Sequence, residues 1–158
     1  MQEIPSRTYN DDVMFICKIR GVEAIEKEYG KLKNYDVILT EERRKHILVR
    51  RGIHDYKIIM DNLKDTLVSY DEIYDDSKRL QNVAYSKEIM VGIYCVIIVS
   101  LSLISSNKAN SNITGIVMNQ MNYQRFIKNR KRIAWRVYEV YNIDKPRGRK
   151  CVATHPSG

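Results

Sequence analysis

Cysteine, proline and glycine are all scarce in this 158-residue chain, at three, three and seven copies. The cysteines, Cys17, Cys95 and Cys151, are odd in number and far apart, which excludes a disulfide framework. No CxxC or Cys/His cluster offers the ligand spacing of a zinc site. So little proline and glycine excludes a linker-rich or collagen-like chain. A P-loop, a dinucleotide-binding glycine pattern and a GxSxG elbow are also missing, and with them the nucleotide and hydrolase chemistries they serve. Carboxylates are scattered, as at Asp75 and Asp76, and nowhere suggest a two-metal site. No metal and no cofactor is therefore expected. The first dozen residues turn polar and acidic at once, unlike a signal peptide, and a reducing, cytoplasmic setting is the expectation.

One long apolar run is present. Residues 89–106 carry no charge over 18 positions, near the lower limit for a helix that spans a membrane. β-Branched residues dominate it, however, and serines alternate with aliphatics from Val99 to Leu103. Both features favour strands. No membrane partner is expected; a membrane-anchored protein is the alternative.

The net charge is +8, with 27 Lys/Arg against 19 Asp/Glu. Between Asn119 and Lys150 ten cations meet only Glu139 and Asp144, so this stretch alone carries +8 and the first 118 residues are neutral. Concentrated positive charge attracts a phosphate backbone, since each neutralised phosphate releases counterions. Tyr123, Tyr138 and Tyr141 interleave with the cations and offer stacking surfaces. Phe126, Ile127, Ile133 and Trp135 fit a core better. RNA is the expected partner.

Periodicity divides the chain further. Residues 1–12 read as a flexible tail, 13–142 as one domain and 143–158 as a basic tail. Residues 13–19 read as a strand, 22–32 as a helix and 36–39 as a short strand. Thr40 can cap a helix over 41–51, with Glu41 and Glu42 in its first turn. Gly52 ends it, and a second helix follows over 55–68. Strands are expected at 72–74, 82–88, 92–104 and 112–118, then a short helix over 121–129. Helices followed by a run of strands indicate an α+β fold with an antiparallel sheet.

His46 and Arg50 are four apart on one helix face, with Arg43 a turn earlier. A neutral imidazole there can accept a proton from a ribose 2′-hydroxyl while guanidinium groups support the charge growing on phosphorus. His54 could supply a second proton-transfer group. The blander alternative makes His46 a packed, hydrogen-bonded residue.

The stretch DVILTEERRKHILVRRGIHDY, residues 36–56, resembles the DxIxTxERxxHIxxRHxxDY pattern of phage-associated nucleases related to barnase, EndoU, colicin and RelE toxins. Residues 110–117, NSNITGIV, resemble that family's NSxIT strand, and residues 123–133, YQRFIKNRKRI, its YxRLIRNKKI segment. The resemblance implies N-terminal helices packed on a roughly four-stranded antiparallel sheet. It also implies metal-independent endoribonuclease activity, in which the 2′-hydroxyl attacks to leave a cyclic phosphate. Carried over, His46 is the base, Arg50 a phosphate-binding cation, and Ser111 or Thr114 a hydroxyl at the scissile group. By the same resemblance Arg125 and Lys128 would hold the backbone; the charge and aromatic pattern adds Arg43, Arg51, Tyr123, Arg130, Lys131 and Arg132 as further expected RNA contacts. Where the pattern has a second histidine, this chain has Arg51. An inhibitor or immunity protein is an implied partner. A non-catalytic RNA-binding domain of the same fold is the second reading.

Overall fold

The computed structural model describes residues 3–76, 79, 81–109 and 111–136. The chain runs β1 (Val13–Lys18), α1 (Val22–Tyr29), β2 (Asp36–Thr40), α2 (Glu41–Val68), β3 (Glu72–Asp75), β4 (Asn82–Met90), β5 (Ile93–Ser100), β6 (Ser111–Asn119), α3 (Gln120–Ile127) and β7 (Arg132–Trp135). The fold is α+β, as expected, but the sheet has seven strands in the order β1-β2-β6-β5-β4-β3-β7 rather than about four. It is also mixed. β2 and β6 pair in parallel through Val37–Ser111 and Ile38–Asn112, and every other pairing is antiparallel. The apolar run at 89–106 forms the end of β4, all of β5 and the loop after it. Among the described residues no helix is long and apolar enough to cross a membrane.

Alternation along β4, β5 and β6 sorts their side chains to two faces. Val83, Tyr85, Cys95, Ile97, Val99 and Ile113 pack with Ile59, Leu63 and Leu67 of α2 in the larger core. Ala84, Val96 and Met118 turn the other way and pack with Tyr123 of α3. One face is thus covered by α2, and part of the opposite face by the short α3.

Thr40 caps α2, its Oγ1 accepting from the Arg43 backbone N at 3.2 Å, and this anchors the register of the first turn. Gly52 then breaks the helix with φ 87° and ψ 160°, a left-handed-side conformation that glycine adopts without a Cβ clash. The break redirects the chain. Before it, Arg51 Nε donates to the Gly115 carbonyl on β6 at 2.9 Å; after it, Ile59 lies directly over Gly115. A Cβ on Gly115 would stand 2.8 Å from Ile59 Cγ2 and 3.1 Å from Ile97 Cδ1. Gly115→Ala is therefore expected to destabilise the protein by about 1–3 kcal/mol through overpacking, measured by denaturant unfolding.

Residues 3–9 are not the loose tail the sequence suggested. They form a strap across the first two strands. The Ser6 backbone N and hydroxyl and the Tyr9 hydroxyl all donate to the buried Asp36 carboxylate, with Ser6 N–Oδ2 at 2.9 Å and Tyr9 Oη–Oδ2 at 2.8 Å. Lys18 Nζ reaches Asp36 Oδ1 at 2.6 Å. Glu3 pairs with Arg20 at 2.6 Å. The expected tail at 143–158 lies outside the described residues.

Candidate functional site

Beyond the reach of α3, the second sheet face opens into a cleft of about 650 Å³. Its floor is built by strand register. Asn82, Ser100 and Asn112 form one cross-strand row over β4, β5 and β6, and Ile98 sits beside Thr114 in the next. Arg43 enters from the first turn of α2, Lys108 from the loop between β5 and β6, and Arg79 and Gln81 from the segment before β4. Among the described residues three cations line the cleft and no carboxylate does.

Arg43 and Lys108 make no ion pair with any described residue, which leaves their charge available to a ligand. Low-dielectric walls and the absence of acids make such a cleft attractive to anions. The neutral groups on the floor supply hydroxyl and carboxamide donors. Asn112 Oδ1 accepts from the Ile113 backbone N at 2.9 Å, which leaves its amide nitrogen to donate elsewhere.

Thr114 and Arg43, both named from sequence, meet in this cleft. Ser111 does not. Three positions separate Ser111 from Thr114 on β6, an odd number, so the two side chains take opposite faces. Ser111 is buried, and its hydroxyl accepts from the Ser102 backbone N at 3.0 Å. It braces the β5–β6 connection and offers nothing to a phosphate.

His46 and Arg50 share the exposed side of the first half of α2, and neither lines the cleft. The packed-core alternative for His46 is thereby excluded, since its side chain is open to solvent. His54 is also exposed, but it follows the break at Gly52 and no longer continues the His46–Arg50 face. Arg51 is half-buried and tied to the Gly115 carbonyl. Burial, followed by the neighbouring Arg50, lowers its pKa from the ordinary arginine value. It holds the helix against the edge of β6 rather than reaching out for RNA.

The basic segment divides into two groups. Arg125 and Lys128 are exposed at the end of α3. Arg130 instead pairs with Asp76 at 3.6 Å, Lys131 with Glu28 at 3.0 Å and Arg132 with Glu72 at 2.9 Å. Arg130 also lies 3.8 Å over the Phe126 ring. These three fasten β7 and the end of α3 to the rest of the domain. Tyr123, expected to stack on a base, is only 4% exposed. Its ring stacks on Tyr94 at 3.9 Å, and its hydroxyl sits 2.7 Å from Ser86 Oγ. At the position where α3 meets the sheet, no face of that ring remains for a ligand. Tyr138 and Tyr141 lie outside the described residues.

Sequence reading missed Arg79, Gln81, Asn82, Ser100, Lys108 and Asn112. For Asn82, Ser100 and Asn112 the signal was faint, single polar residues within aliphatic strands where one face of a sheet is left without cover, and Arg79, Gln81 and Lys108, outside the strands, left none. Among the described residues no group of three His, Cys, Asp or Glu side chains is placed to hold a metal ion. Cys17 and Cys95 are buried free thiols, and burial pushes the Cys17 thiol up to about 12, too high for a nucleophile near neutrality. Compared with protein-family models, curated proteins and solved structures, the chain finds no match.

Proposed function

We propose that this chain binds RNA in the open-face cleft and cuts it without a metal ion. One observation carries the binding: three cationic side chains converge on a polar, acid-free floor, with Arg43 held at the mouth by the helix cap. A phosphodiester matches that lining better than a neutral or cationic ligand does. Arg43 and Lys108 would hold the non-bridging oxygens, and the Thr114 hydroxyl would donate to the same group.

The chemistry rests on the motif resemblance together with the open position of His46, one helical turn beyond Arg43. An RNA strand leaving the cleft along α2 would bring its 2′-hydroxyl to that imidazole. His46 takes the 2′-proton, and the 2′-oxygen attacks phosphorus. The bond to the 5′-oxygen breaks, and that oxygen takes a proton from solvent water to leave as a hydroxyl, while the imidazolium returns its proton to solvent. The products are a 2′,3′-cyclic phosphate and a 5′-hydroxyl end. Guanidinium charge opposes the negative charge that accumulates on the pentacoordinate phosphorus.

A second reading, RNA binding without cleavage, is favoured by one feature: among the described residues the cleft lining contains neither imidazole nor carboxylate. Incubation with mixed cellular RNA separates the two. Cleavage that survives chelator and leaves cyclic-phosphate ends supports the nuclease. Retention of uncut RNA supports the binder. In either case Arg43→Ala is expected to weaken RNA binding about tenfold, as removal of a charge-assisted hydrogen bond to phosphate should, read by fluorescence anisotropy. An unchanged affinity would remove the cleft from the account.

A further inference from the structure

A second basic cleft of about 530 Å³ opens beside the first, lined among the described residues by Ser6, Arg7, Lys18, Lys33, Asn34 and Tyr35, none of them an acid. Both lie on the same side of the sheet. The parallel pairing sets Ile38 beside Asn112, and Asp36, two residues before Ile38, shares its face. Asp36 in turn holds Ser6 and Lys18 of the second cleft. The two clefts also share a wall. Asn34 Nδ2 donates to the Ala109 carbonyl at 3.1 Å, and Lys33 Nζ to the Ser106 carbonyl at 3.2 Å. Lys108, on the other side of that same loop, lines the first cleft.

The cations of the second cleft differ in availability. Lys18 is committed to Asp36. Lys33 and Arg7 are exposed, and neither forms an ion pair with a described residue. Positive charge outside any ion pair therefore continues past Lys108 to Arg7 and to Lys33, whose ammonium also donates to the Ser106 carbonyl, with the loop at 103–109 as the partition between the two clefts.

Building on the RNA reading above, we infer that the second cleft is a separate phosphate subsite, gripping the same single strand beyond the reacting phosphodiester. The N-terminal strap supplies Arg7 to it, which gives those residues a binding role as well as a structural one. RNA long enough to cross the partition is held by both clefts, and a dinucleotide by the first alone.

The test uses 2′-O-methyl RNA, which cannot be cut by 2′-oxygen attack. A strand of about ten nucleotides suits this, since single-strand sites span roughly 4–16. Its binding is compared between the wild-type chain and the double variant Arg7→Ala/Lys33→Ala over a salt series. The variant is expected to bind about tenfold more weakly at 0.1 M salt. Its plot of log affinity against log salt should be shallower by about 1.4, or about 0.7 for each phosphate that is no longer neutralised. Cleavage of an unmodified dinucleotide should match wild type. Equal affinity and equal slope for the two proteins would overturn the second subsite while leaving the first intact. A wild-type chain that retains no strand at all would overturn both.

Discussion

His46→Ala is expected to slow RNA cleavage by about a thousandfold while RNA binding stays within about twofold of wild type. Removing a general base typically costs 10²–10⁴ in rate, whereas binding rests on cations that the substitution leaves in place. His46 is exposed on α2 and takes no part in either core cluster, so unfolding does not compete as an explanation. Surface substitutions of this kind change stability by less than about 0.5 kcal/mol. The comparison with Arg43→Ala is informative, because removing the cation that holds the phosphate should lower binding and rate together. Cleavage by His46→Ala at the wild-type rate would take the imidazole out of the mechanism and favour the binding-only reading.

Asp36→Asn is expected to lower the unfolding free energy by about 3 kcal/mol, as removal of one member of a buried ion pair does. For a chain of this size that corresponds to about 10 °C in melting temperature. Every group that meets the carboxylate is a donor: the Ser6 N–H and hydroxyl, the Tyr9 hydroxyl and the Lys18 ammonium. An asparagine amide would set its own N–H groups against some of these and leave Lys18 without its counter-charge. Burial by itself would raise the Asp36 carboxyl, but the hydrogen bonds from Lys18, Tyr9 and Ser6 outweigh it and hold the pKa below the ordinary 3.8. A depressed carboxylate stabilises the fold fully above its unfolded pKa, and the gain is lost as pH falls through the folded one. Wild-type stability should therefore drop below about pH 3.8, and the drop should be shallower in Asp36→Asn. Equal unfolding free energies for the two proteins at neutral pH would contradict the assigned role of the strap.

Much of the α+β layout was legible because it follows from local pattern. β-Branched alternation marked β4 and β5, and Thr40 with the acids after it marked the start of α2. Gly52 marked its break. Long-range pairing left no such trace: the parallel β2–β6 contact and the pairing of β7 with β3 join segments far apart in sequence. The strap at residues 3–9 is polar and aperiodic, and its anchor, Asp36, lies about thirty positions away. Charge posed the opposite problem. The basic run around Arg130, Lys131 and Arg132 is plain in the sequence, but its partners Asp76, Glu28 and Glu72 are not. Among the described cations of that segment Arg130, Lys131 and Arg132 are thus internal fastening, Arg125 and Lys128 stay exposed at the end of α3, and the cations that line the clefts, Arg43, Lys108, Lys33 and Arg7, stand elsewhere.

The location of bound RNA is read most directly from backbone amide shifts on titrating labelled protein with a short single strand. Binding in the cleft predicts that the largest changes fall at Arg43, Ser100, Lys108, Asn112 and Thr114, with little movement at Ile59, Leu63 and Leu67 beneath the other face. Shifts confined to the residues after Trp135, with those cleft amides unmoved, would contradict it.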